Sequence, residues 1–233
     1  MLAFAAALQT AIAAWLVLGQ PFLGRYKYEL LKFRLPTDPR ARYRSYAASA
    51  ITEWGLFLAV LLSLRLGKLP LTAIGLKPPA GPVTWYIVAA AFVGAIALIV
   101  QMYRSPEMRE AYREGSGHIR QLLPVTAGER AGFAAIAVTA GICEETLFRG
   151  FLTFYLVTLL PWLPLWAAAV LASLSFGLGH WYQGRRGILQ TGALGLLLAG
   201  FYLATGSLYG PMAVHAIIDL LALGLSWAAT RTN

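Results

Sequence analysis

Seven stretches of this chain stay apolar over the length needed to cross a bilayer, about 20 residues. They lie near 2–23, 46–66, 83–103, 131–150, 163–181, 187–205 and 211–229, joined by short polar connections. A single soluble core of 233 residues has no room for so many consecutive apolar side chains. Composition agrees: 58% of residues are hydrophobic and 12% charged, and mean hydropathy is +0.63, whereas soluble domains carry about 25% charged residues. The expected fold is an all-α integral membrane protein of about seven transmembrane helices, six to eight, around a polar intramembrane cavity. The segment 151–160 is apolar but short and is closed by Pro161-Trp162-Leu163-Pro164; it reads as a re-entrant or kinked half-helix.

The net charge of +9 does not mark a nucleic-acid binder, because the cations sit in loops between apolar runs rather than on one solvated face. They act as topology signals. Cytoplasmic loops retain an excess of Lys and Arg, and placing the amino terminus outside puts fifteen of them in cytoplasmic segments, Arg231 included, against three in external ones. That orientation leaves the carboxyl terminus cytoplasmic. The first span has no Lys or Arg before its apolar run, so it reads as retained rather than as a cleaved signal. Residues 104–130 mix both charge signs and are expected to form a connector with a short surface helix and a turn at Gly115-Ser116-Gly117; His118, within it, receives no chemical role. One cysteine, Cys143, permits no internal disulfide and reads as a small apolar filler.

Charged groups within hydrocarbon cost about 2.5–3.5 kcal/mol each on insertion scales and mark functional sites by default. Here they concentrate in three runs: Glu144-Glu145-Thr146-Leu147-Phe148-Arg149, Ser175-Phe176-Gly177-Leu178-Gly179-His180, and His215-Ala216-Ile217-Ile218-Asp219. Glu145 and Arg149 are four residues apart, with the acid toward the amino terminus, so they face one another on a helix. Glu144 lies about 100° away around the helix and lacks a local partner, which makes it the candidate general base, with Glu145 and Arg149 in support. His215 and Asp219 also share a helical face. The chemistry this pattern supports is hydrolysis of a peptide bond: Glu144, assisted by His180, takes a proton from water, and His215 and Asp219 face the developing oxyanion. Glu53, inside the second span, is either a satisfied interfacial acid or part of the polar cavity.

The three runs, in this order on successive apolar helices, resemble the CPBP family, also called the ABI or type II CAAX prenyl endopeptidase family, whose pattern is EExxxR, FxxxH and HxxxN or HxxxD. Each position has a counterpart: Glu144, Glu145 and Arg149; Phe176 and His180; His215 and Asp219. The resemblance covers roughly 120–230. It divides the single domain 1–233 into variable amino-terminal spans, 1–119, and a catalytic core, 120–233, and implies a glutamate-dependent intramembrane endopeptidase with membrane-associated protein or peptide substrates. Asp219 stands where the best-known members have Asn. An ionised Asp only accepts hydrogen bonds, so it is either protonated or accepts the ring proton of His215.

No cofactor is required by this scheme. Zinc is the metal that two His and a carboxylate would take, from Glu144, His180 and His215, although no HExxH spacing is present. Readings of other classes are a transporter or proton relay using the same ionisable groups, for which two internal repeats are expected and none is found, and a non-catalytic immunity or scaffold protein. A short, Ala- and Leu-rich chain of this kind points to a bacterial cytoplasmic membrane. In a plain seven-span drawing His180 lies near the cytoplasmic end of span 5 and His215 near the external end of span 7, so convergence of the motifs requires a departure from that drawing.

Overall fold

A computed structural model describes residues 1–230, the side chains of His118, Ala229 and Thr230 excepted. Arg231, counted in the charge tally, lies outside the described residues. Among these residues the fold is entirely helical. Seven helices form the bundle and an eighth lies across a connection: α1 Leu2–Arg34, α2 Ala41–Leu66, α3 Val83–Arg104, the short α4 Pro106–Gly115, α5 Ala127–Leu159, α6 Leu165–Gly179, α7 Gly184–Thr205 and α8 Tyr209–Thr230. Six of them are long and apolar enough to cross a membrane. With the many large apolar side chains exposed on their outer faces, this makes the chain an integral membrane protein.

The middle of the bundle is α5. Over half of its apolar window is buried (56%), against 22% or less for each of the other candidate spans, and it packs against α2, α6 and α8. Its start is fixed by a capping box: Thr126 Oγ1 accepts from the Glu129 backbone N–H at 3.1 Å, and Glu129 Oε2 accepts from the Thr126 N–H at 2.9 Å. Such caps satisfy otherwise orphaned donors. Its end is set by Leu160 leaving the helical region just before Pro161, as the residue preceding a proline tends to do.

Two features correct the expected span map. Residues 151–160 are not a separate half-helix: 151–159 continue α5, which runs for 33 residues. Gly150, at the supposed break, instead lets the Ile74 backbone approach, since a Cβ there would lie 2.7 Å from Ile74 O. The supposed fifth span is also short. Helix α6 has 15 residues, about 22 Å at 1.5 Å per residue, well below the roughly 30 Å of a hydrocarbon core. His180 is its C-cap residue and therefore sits inside the bundle.

Two widened, π-type stretches interrupt the regular helices. In α1, Trp15–Gly19 is widened just before Pro21, which has no N–H to donate. In α5, Glu145–Leu152 is widened, and all eight of those residues are buried. Wider turns of this kind recur at functional sites because they re-aim side chains without ending the helix. The connector 104–130 contains its expected surface helix, α4, capped by Ser105 Oγ accepting from the Met108 N–H at 3.1 Å. Tyr112 of α4 donates to Ala222 O of α8 at 3.1 Å.

Candidate active site

Close helix contact brings the motifs together. Gly141, one turn before Glu144 and Glu145, lies against α8: a Cβ there would be 2.8 Å from Met212 O and 2.9 Å from the Ala216 Cβ. Only a residue without a side chain lets the two backbones approach so closely. Gly177, one turn before His180, does the same between α6 and α7, where a Cβ would be 2.9 Å from Ile188 O.

At this contact His215 Nδ1 lies 2.7 Å from Glu145 Oε1. A carboxylate only accepts, so Nδ1–H is the donor. The same Glu145 oxygen is 2.9 Å from Arg149 NH1. The expected Glu145–Arg149 pair is therefore present, but Glu145 also does the work that spacing offered to Asp219, accepting the ring proton of His215. Glu145 and Arg149 are 0% and 1% exposed, which leaves the pair without help from water. The guanidinium carbon is 4.2 Å from the centre of the Phe176 ring, a cation–π contact that partly replaces solvation.

The other edge of His215 faces two carboxyl groups. Nε2 is 3.7 Å from Glu144 Oε2 and 3.8 Å from Asp219 Oδ2. Glu144 thus has an ionisable neighbour on another helix. The Asp219 side chain is 35% exposed, so it can exchange hydrogen bonds with water in the cavity.

His180 reaches the same space from α6. Its Nδ1 donates to Phe176 O at 2.9 Å, because a carbonyl only accepts, and a neutral ring then keeps a lone pair on Nε2. The Phe176 ring lies edge-on to both imidazoles, with centroid distances of 4.7 Å to His180 and 5.9 Å to His215. The two histidines that the seven-span drawing kept apart thus share one aromatic wedge. No hydrogen bond joins His180 to Glu144 among the described residues, although both line one cavity.

That cavity has two lobes, of about 240 Å³ and about 110 Å³. Glu144, His180, Glu53 and Tyr182 line both. The larger lobe adds His215, Asp219 and Phe176, together with apolar side chains such as Phe133, Ile136 and Leu194. The smaller adds Gln20, Lys27 and Thr52. Glu53 is thereby placed in the polar cavity, one of the two alternatives its position allowed; Ser45 and Ser49, at four-residue spacing on the same helix, line the cavity with it. Cys143 is buried and free. Among the described residues no three His, Cys, Asp or Glu side chains, the set Glu144, His180 and His215 included, are arranged to hold a metal ion. Each imidazole, His215 and His180, spends its Nδ1–H, on Glu145 and on a carbonyl respectively, and takes no part in those bonds through Nε2.

Residues 126–221, about two-fifths of the chain, match the family model described as type II CAAX prenyl endopeptidase Rce1-like. This is the family that the three motifs resemble, and the matched stretch contains all of them. It supports, at the level of the family, a membrane protease. No curated protein and no solved structure matches the chain.

Proposed function

We propose that the chain is an intramembrane endopeptidase of glutamic type, in which Glu144 and His180 activate water and His215 and Asp219 meet the oxyanion. The observation that carries this reading is the meeting of Glu144, His180, His215 and Asp219 around one polar cavity inside a bundle of apolar helices. A transport site would use similar groups, but the family match favours proteolysis.

Water in the cavity gives one proton to Glu144 and a hydrogen bond to the bare Nε2 of His180. Its oxygen attacks the scissile carbonyl carbon: a C–O bond forms, and the carbonyl π pair moves onto oxygen. With Nδ1–H spent on Glu145, His215 offers a donor to that oxyanion when both ring nitrogens carry protons. On collapse the carbonyl reforms, the C–N bond breaks, and Glu144 returns its proton to the leaving nitrogen. Phe176 and Arg149 hold the two rings and Glu145 in place. Substrates are membrane-associated proteins or peptides, whose apolar side chains suit the larger lobe, and the host membrane is a bacterial cytoplasmic one with the amino terminus outside.

The test uses purified protein in liposomes with a library of membrane peptides, read by mass spectrometry. Cleavage by wild type and none by Glu144→Ala, unaffected by a chelator, is the expected result. Equal cleavage by both proteins, or by neither, overturns the assignment.

A further inference from the structure

The family match begins at residue 126, yet one carboxyl group of the cavity comes from α2, well before it. Glu53 lines both lobes alongside Glu144. Its Oε2 is inaccessible to solvent and has no hydrogen-bond partner among the described residues, a costly state for an ionised carboxylate. The charged or titratable groups within electrostatic reach of it are Lys27 of α1, Cys143 and Glu144 of α5, His215 and Asp219 of α8, and Tyr182 between α6 and α7. The one amine in that set does not neutralise it by contact. Lys27 Nζ is spent on Ala48 O at 3.1 Å and Thr52 Oγ1 at 2.8 Å, and no ion pair joins it to Glu53 among the described residues.

Two carboxyl groups facing one enclosed space resist ionising together. Glu144 has His215 Nε2 at 3.7 Å, whereas Glu53 has no such neighbour at contact distance among the described residues. We propose that Glu53 and Glu144 act as a pair across the cavity, in which Glu53 retains a proton because Glu144 is charged, so that Glu144 stays available as the base. Glu53 is then a positioning residue, acting through Glu144. This inference rests on the protease reading for its purpose, but the protonation itself is measurable without turnover.

Infrared spectra of the full chain in liposomes at neutral pH are compared between wild type, Glu53→Gln and Glu144→Gln, each checked for an unchanged elution profile. The expected result is a protonated-carboxyl band in wild type that is lost in Glu53→Gln and also in Glu144→Gln, because removing the charge on Glu144 lets Glu53 ionise. A band that persists in Glu144→Gln shows Glu53 to be neutral through burial alone and overturns the pairing; so does a wild type without a band that Glu53→Gln removes. With a cleavable peptide in hand, Glu53→Leu lowers kcat about tenfold or more with little change in KM, and an unchanged kcat removes the positioning role. If wild type cleaves nothing, the protease reading fails while the infrared result still decides the pair.

Discussion

The Nδ1 of His215 and Oε1 of Glu145 lie 2.7 Å apart across the α5–α8 contact, and the same Glu145 oxygen is 2.9 Å from Arg149 NH1. One carboxylate therefore orients an imidazole on another helix while neutralising a cation on its own. Removing the ring removes an aligned donor, and the loss of one oxyanion donor costs about 10²–10³ in rate. His215→Ala is expected to lose that much turnover while keeping the melting behaviour of a folded protein. A variant retaining more than a tenth of wild-type turnover contradicts the role.

Because Glu145 accepts the His215 ring proton, Asp219 is not needed to orient it. Asp219 reaches the cavity with a partly solvated carboxyl group, and an amide there can still donate a hydrogen bond to an oxyanion. Asp219→Asn is expected to keep turnover within a few-fold of wild type in steady-state assays. A collapse in kcat would return the orienting role to Asp219.

Arg149 is enclosed, paired with Glu145 and stacked on Phe176. Replacing one member of a buried ion pair strands the other, at a cost of about 3–5 kcal/mol. Arg149→Met is expected to lower stability by that order in detergent, read by thermal or denaturant unfolding, and to lower turnover with it because Glu145 no longer holds its position.

Gly141 allows the backbone contact that puts His215 beside Glu145. A branched side chain meets Met212 O and the Ala216 Cβ, and overpacking of this kind costs about 1–3 kcal/mol. Gly141→Val is expected to separate α5 from α8, reducing turnover more than stability. Wild-type activity in that variant would mean that the α5–α8 approach does not set the site.

Which parts of this arrangement were legible in the sequence follows from the range of the forces involved. Glu145 and Arg149, or His215 and Asp219, declare themselves because i,i+4 spacing is a local property of a helix, and acids within apolar runs stand out against their surroundings. The bridging of Glu145 to His215 spans 70 residues and left no local signal. The membership of Glu53 in the cavity left only the polar face it shares with Ser45 and Ser49, and depends on how α2 packs against α5. The continuity of α5 through Gly150 was obscured because 131–150 already reaches spanning length, so the apolar residues beyond it read as a separate short element. The depth of His180 was hidden for a related reason: the apolar run 163–181 has spanning length, but its first residues form the Pro161–Pro164 turn and only 15 become helix.

The central claim is that Glu144 is the base at a site assembled from α5, α6 and α8. Its most direct test is single-turnover cleavage of one membrane peptide by wild type and by Glu144→Gln, an isosteric change that removes the proton acceptor, with both proteins shown to melt alike. The account predicts that Glu144→Gln slows the chemical step by about 10²–10⁴; chemical steps at matching rates in the two proteins would contradict it.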